Sequence, residues 1–352
     1  MNLSLGPLRC GGAQHQRPLV LLILKGYRMG SLYMSELMAA HADTLFLFEA
    51  NLCMSTVEEM VSFIVNGSCP SPGPTPDPAK EARCCRGLRD ASSCAVRGFS
   101  IASPGHGDAL LARLEQMDAA GQLLHFQQRA GNRSRSLFTL AAHYRHNVLK
   151  QSISHLYGGG AHVYAANDEE AARIRAEAAP REASAAMLRP INSTARVAFA
   201  TYSRIANELK RAERAERAAR TLGLPPPVNL SYEALQADPK AELTRLILAA
   251  SGQAGRGEGA FDVARWEADS APVHAYTPTA QQVKVHDERL SVLLPGYREI
   301  KREVASRPDE LPCLHELLMD APLPGRPCWM SLAGGSERAK ELRGLYGEAR
   351  RR

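Results

Sequence analysis

Residues 18–25 read PLVLLILK, residues 26–30 GYRMG, residues 31–41 SLYMSELMAAH and residues 44–48 TLFLF. The first segment is a continuous apolar run that stops at Gly26. Such a run fits a strand buried on both faces of a parallel sheet. The third has apolar residues at Leu32, Met34, Leu37 and Met38, a helical spacing, with Ser31 placed to cap the start. The fourth is a second buried strand, closed by Glu49. Strand, glycine turn, helix, strand is a βαβ unit, and it sets the fold class as α/β.

Working outward, helical patterns cover 55–65, 108–119, 168–179, 195–222 and 239–251, and a further helix runs through Leu156. Residues 96–101 (VRGFSI), 136–143 (SLFTLAAH) and 228–232 (VNLSY) read as further short strands. Between 67 and 95 the pattern dissolves into Pro, Gly and Cys, which reads as an irregular insertion. Pro225, Pro226 and Pro227 stop the longest helix. Beyond Gly252 the chain reads as mostly irregular, with short helices and a basic end. The expected architecture is one P-loop-like α/β domain over 18–330, with about five parallel strands flanked by helices and the Cys/Pro-rich insertion at 67–95. An extension over 1–17 precedes it and a basic tail over 331–352 follows it.

The chain has 352 residues, 45% hydrophobic and 23% charged, which is ordinary globular usage and excludes collagen-like or wholly disordered chains. No segment reaches the ~18 apolar residues of a membrane span, and residues 1–10 make no convincing signal peptide. The chain is therefore either cytoplasmic or lacks its targeting segment and any membrane anchor. Two counts favour the second. Of nine Asn residues, five head an Asn-x-Ser/Thr triplet: Asn2, Asn66, Asn132, Asn192 and Asn229. Chance would give about one. The eight Cys residues are even in number, and Cys69, Cys84, Cys85 and Cys94 cluster in the insertion, as disulfides in an oxidising compartment would. Asn229 falls on an expected buried strand, so that triplet is expected to be unused. Net charge is +6, diffuse apart from the run RAERAERAAR (211–220) and the three terminal arginines. It suits an anionic ligand without naming one.

A glycine-flanked turn between a strand and a helix N-terminus is an anion site, because free backbone N–H groups and the helix dipole converge there. Here the turn carries Arg28 and lacks the GxxxxGK[ST] of nucleotide triphosphatases, which argues against a nucleotide kinase. Three stretches carry a more specific signal. RMGSLYMSELMAAHADTLFLFEAN (28–51) resembles the segment of Golgi carbohydrate sulfotransferases in which an R-[ST]-G-[ST]-[ST] turn leads through a helix into a strand ending Tyr-Glu-Pro. HYRHNVLKQSISHLYG (143–158) is similar to that family's second motif, an Arg before a helix whose Ser binds the 3′-phosphate of the cofactor. NLSYEALQADPKAELTRLILAAS (229–251) resembles the family's Tyr-Glu-Asp-Leu and Asp-Pro segment after the last strand. The three occur in the family's order and span about a third of the chain.

The resemblance implies a P-loop-like sulfotransferase that moves a sulfuryl group from 3′-phosphoadenosine 5′-phosphosulfate (PAPS) to a hydroxyl, on a carbohydrate or other acceptor, in the Golgi or another secretory lumen. It implies no metal and no nucleic-acid partner. Arg28, Met29, Gly30, Ser31 and Leu32 occupy the turn that would hold the 5′-phosphosulfate. Arg145 with Ser154, or alternatively Ser152, would hold the 3′-phosphate. Glu49, at the carboxyl end of the second strand, would be the general base, and Arg28 would also stabilise the charge on the transferring group. The chain departs from the family pattern at Met29 and Leu32, where small hydroxyl residues are usual, and at Ala50, Ser100 and the polar pair His143–Tyr144. Those departures leave open a degenerate member that binds nucleotide or glycan without turnover.

Other polar features read as structural. His106, an alternative base, reads as a solvated loop histidine. Residues 286–288 (HDE) read as a polar helix start rather than a metal group. The Arg/Ala/Glu run reads as a solvated helix face, its acidic residues offsetting its charge.

Overall fold

The computed structural model describes residues 19–26, 34, 35, 37, 38, 41, 44–47, 50–69, 94–123, 138–157, 164–165, 193–254, 283–284, 289–319 and 326–349. In chain order the main elements are β1 (Leu19–Lys25), β2 (Thr44–Leu47), α1 (Val57–Asn66), β3 (Val96–Ala102), α2 (His106–Ala119), β4 (Phe138–Tyr144), α3 (Val148–Tyr157), α4 (Thr194–Thr221) and β5 (Val228–Ser231). Then follow α5 (Tyr232–Ala237), α6 (Pro239–Ala254), α7 (Tyr297–Ala305) and α8 (Gly335–Ala349). The expected helix at 168–179, residues 1–17 and most of the 67–95 insertion lie outside the described residues. The chain forms two compact units: Met1–Tyr144 with Arg211–Tyr276, and Arg145–Lys210 with Thr277–Arg352.

In the first unit five strands pair all in parallel, in the order β2-β3-β1-β4-β5. The apolar runs become strands covered on both faces. Val20, Leu22 and Leu24 pack on one side with Phe63, Phe99, Leu110, Leu114, Ala215 and Leu222. Leu19, Leu21 and Ile23 pack on the other with Met34, Leu37, Met38, Leu243, Leu246 and Ile247. Such two-sided burial is why the strands read as unbroken hydrophobic stretches rather than alternating ones. Gly98 allows β1 and β3 to approach: a Cβ there would lie 2.2 Å from the Leu21 carbonyl oxygen.

Local chemistry sets the helix ends. Thr56 and Glu59 form a capping box: the Glu59 N–H donates to Thr56 Oγ1 at 3.2 Å and the Thr56 N–H donates to Glu59 Oε2 at 3.1 Å. Gly67, in the left-handed region at φ 75°, closes the other end of α1 by donating to the Phe63 carbonyl. The Arg97 guanidinium, buried on β3, donates to the Ile64 carbonyl at 2.9 Å and so satisfies a last-turn acceptor of that helix.

In the second unit the core gathers Val148, Leu149, Ile153, Val197, Tyr202, Ile205, Leu314, Leu317, Trp329, Ala339 and Leu342. Tyr202 donates to the Pro312 carbonyl at 3.0 Å and stacks on Tyr346 with ring centroids 6.1 Å apart. The basic tail expected over 331–352 contains the 15-residue helix α8.

Candidate functional site

β1 ends at Lys25, and the buried Gly26 follows. Arg28, Met29, Gly30, Ser31 and Leu32 of the expected phosphate turn, and the expected base Glu49, lie outside the described residues. What flanks the turn is described. Met34, Ser35, Leu37 and Met38 are helical and buried, and Met34, Leu37 and Met38 pack on the sheet as anticipated. β2 is the strand that precedes Glu49, and it ends at Leu47.

The carboxyl edge of β1 and β4 holds the polar residues that sequence reading did not bring together. Lys25 and His143 are register partners on these adjacent strands, 3% and 0% exposed. From β1 the chain goes to β2, beyond β3; from β4 it goes to β5, on the opposite side. Adjacent strands with connections diverging this way mark where open α/β sheets bind ligands. Neither ring nitrogen of His143 has a hydrogen-bond partner among the described residues. Burial, reinforced by the positive charges of Arg211 and Lys25, lowers its pKa from 6.5 to about 3, so the imidazole is neutral. Arg211 donates to the His143 carbonyl at 2.8 Å, and it too is buried, at 4% exposure. The run 211–220 is therefore not simply a solvated face. Its first arginine closes the end of β4, Arg214 pairs with Glu115 on α2 at 2.6 Å, and Arg217 and Arg220 are exposed. The signal that could have found this cluster was a lone cation or histidine ending each apolar run.

In the second unit Arg145 opens the segment before α3 and is 6% exposed. The two residues after it are held by distant parts of the chain. Trp329 donates through Nε1 to the His146 carbonyl at 3.0 Å, and Asn147 Nδ2 donates to the Leu317 carbonyl at 2.9 Å. Asn147 Oδ1 accepts from the Lys150 N–H at 2.9 Å, capping α3. Ser152 is buried on this helix. Its hydroxyl lies 2.9 Å from the Val148 carbonyl and 3.3 Å from that of Ala200, so its proton is already taken by the helix backbone. Of the two expected serines, this leaves Ser154, also on α3, as the candidate for a phosphate.

The third stretch builds a tight strand–helix–helix corner. Ser231 Oγ accepts from the Ala234 N–H at 3.2 Å at the start of α5, and Asp238 Oδ1 accepts from the Ala241 N–H at 3.0 Å before Pro239 opens α6. Glu242, buried, accepts from the Ser231 N–H at 2.9 Å. The Asp-Pro and following glutamate positions are thus accounted for by chain geometry.

His106 is exposed, as expected, and it begins α2 rather than lying in a loop. Asn229 lies on β5, as expected; it is itself exposed on this outermost strand, while Leu230 and Ser231 of its triplet are buried. Asn66 is exposed at the end of α1. Cys53, Cys69 and Cys94 are disulfide-bonded, whereas Cys313 and Cys328 are free thiols. Residues 286–288 lie outside the described residues. Among the described residues no group of three His, Cys, Asp or Glu side chains is placed to hold a metal ion, and no helix is long and apolar enough to cross a membrane.

Comparison with protein-family models, with curated proteins and with solved structures gave no match.

Proposed function

We propose that this chain is a sulfotransferase, transferring the sulfuryl group of PAPS to a hydroxyl, on a carbohydrate or a similar acceptor, in the Golgi or another secretory lumen. The observation that carries the reading is the adjacency of β1 and β4. The first two resembling stretches follow directly from the carboxyl ends of these hydrogen-bonded parallel strands, which are in register at Lys25 and His143. A five-stranded parallel sheet with β1 at its centre is compatible with that reading. In it, Arg28 and the backbone of Gly30, Ser31 and Leu32 bind the phosphosulfate. Arg145 and Ser154 take the 3′-phosphate. Glu49 accepts the proton of the attacking hydroxyl as the oxygen–sulfur bond forms and the bond to the 5′-phosphate breaks, with Arg28 stabilising charge on the leaving oxygen. The disulfide-bonded Cys53, Cys69 and Cys94 support an oxidising compartment.

Calorimetric titration with 3′,5′-bisphosphoadenosine, followed by transfer of labelled sulfate to a panel of sugars, tests this. Tight binding with transfer supports it, and no binding refutes it. Met29 and Leu32 favour one second reading, a relative that binds nucleotide or glycan without turnover. Binding without transfer to any acceptor would select it.

A further inference from the structure

Cys313 and Cys328 stand apart from the disulfide-bonded cysteines in the sequence and belong to the second unit. They are 15 residues apart, and Cys328 Sγ lies 3.9 Å from the Cys313 carbonyl oxygen. The two thiols also touch: hydrogen bonding to the Cys313 thiol, followed by burial, pushes the Cys328 thiol well above the usual thiol range. Both residues are half-buried, so a small reagent can reach them. Cys313 further adopts the left-handed backbone, at φ 66°, and no other non-glycine residue does so among the described residues. A β-carbon is disfavoured there, and glycine or asparagine would sit more easily. A side chain kept in that conformation points to a use for the thiol beyond making the turn.

The surroundings indicate what the pair acts on. Cys313 immediately precedes the single-turn helix Leu314–Leu317, whose last carbonyl holds Asn147. Cys328 opens the turn Cys328–Ser331, whose next residue, Trp329, holds His146. Each cysteine therefore adjoins one of the two supports of the 146–147 segment.

We propose that Cys313 and Cys328 form an intramolecular disulfide by exchange with a small disulfide such as glutathione disulfide, locking together the two supports of His146 and Asn147. The Cys313 sulfur, losing its proton, attacks the glutathione disulfide and releases one glutathione thiolate, which takes up that proton. Cys328 then loses its proton as it displaces the second glutathione from the mixed disulfide. The balance is two protein thiols and one glutathione disulfide to one protein disulfide and two glutathione thiols. The bridge itself does not depend on the proposed function; its effect on nucleotide through Arg145 rests on that reading.

The test uses the full chain, equilibrated across glutathione redox ratios, quenched in acid, alkylated and mapped by mass spectrometry. The expected result is a single peptide pair joining Cys313 to Cys328. The expected Tm is higher than in the open form by about 5 °C, and this increment is missing from Cys313→Ser and Cys328→Ser. Separate alkylation or separate glutathionylation of both thiols, at ratios where Cys69 and Cys94 are bridged, would overturn the proposal. So would a bridge that leaves the Tm unchanged. Because the mapping is done on the wild-type chain, it remains decisive if the serine variants fail to fold. Titrating both forms with 3′,5′-bisphosphoadenosine separates the two readings: tighter binding by the bridged form supports the link to Arg145, while binding by neither form refutes the nucleotide function and leaves the bridge to the mass spectra.

Discussion

Lys25 and His143 sit side by side on adjacent parallel strands, a buried cation next to a buried imidazole that hydrogen-bonds through neither nitrogen among the described residues. Burial of His143, reinforced by the charges of Arg211 and Lys25, makes the first unit acid-sensitive. The folded pKa of His143, about 3, lies below its ordinary 6.5. Between those values the unfolded chain binds a proton that the folded chain refuses. The stability is therefore fully present above pH 6.5 and is lost as pH falls toward 3, by on the order of 5 kcal/mol in total. Denaturant unfolding at pH 7 and pH 4.5 should show this loss, and His143→Leu should flatten it. An equal pH slope in both proteins would remove His143 as the cause.

Gly98→Ala should destabilise the sheet by about 3 kcal/mol. The added Cβ would meet the Leu21 carbonyl oxygen at 2.2 Å and the Leu21 Cβ at 3.0 Å, and the first of these is backbone that cannot rotate away. A denaturant midpoint close to wild type would show that β1 and β3 can separate without penalty.

Arg28→Ala should lower kcat/KM for sulfate transfer by a factor corresponding to about 2–4 kcal/mol, as expected when one preorganised donor is lost from a developing negative charge. Steady-state kinetics with saturating acceptor reads it directly. Unchanged kcat/KM rules out the role given to this arginine.

Glu49→Gln keeps the shape of the side chain and removes the base. Affinity for 3′,5′-bisphosphoadenosine should survive while kcat falls by roughly a hundredfold or more. Retained turnover with weakened cofactor binding would make the carboxylate structural, and the exposed His106 would be the next residue to replace.

Ser152 and Ser154 should separate cleanly. With its hydroxyl bonded inside the helix backbone, Ser152→Ala should change the Tm by a few degrees and leave nucleotide affinity nearly intact. Ser154→Ala should weaken that affinity by about tenfold, the worth of one charge-assisted hydrogen bond. The reverse pattern in a calorimetric titration would exchange the two assignments.

The sheet was legible wherever burial is two-sided. The run ending at Lys25 is apolar almost throughout because helices cover both faces, and the runs ending at Ala102 and Tyr144 are buried along nearly their whole length. The end of α1 was legible where the pattern dissolves at Gly67, whereas α4 stops at Thr221, ahead of Pro225–Pro227: Gly223 takes the left-handed conformation at φ 63° and the Leu224 N–H donates to the Ala219 carbonyl at 2.7 Å. Helix α8 was not legible, because its core contact rests chiefly on Ala339 and Leu342, too few apolar positions to mark a period. Arg211 was misread for a related reason. Its neighbours in sequence are charged and solvated, and its burial follows from a carbonyl at the end of β4, 68 residues earlier in the chain. The Lys25–His143 pair was hidden in the same way, since a polar residue closing an apolar run looks like punctuation until strand order places two such ends together. Ser152 could not be assigned without the neighbouring helix, whose Ala200 carbonyl lies 3.3 Å from its hydroxyl.

The outermost strand β5 is only four residues long, and the carbonyl of its exposed Asn229 receives a hydrogen bond from the Arg245 guanidinium, itself held by Glu242 at 2.7 Å. An open strand margin invites pairing with a second chain, and natural sheets commonly blunt it with brevity and charge. Here a cation already sits on the acceptor that an incoming strand would use, and β2, at the opposite margin, is equally short. The apolar centre of this sheet is thus fenced on both sides against growth into fibrils, a safeguard for a sheet whose central strand is almost uninterrupted Leu, Ile and Val.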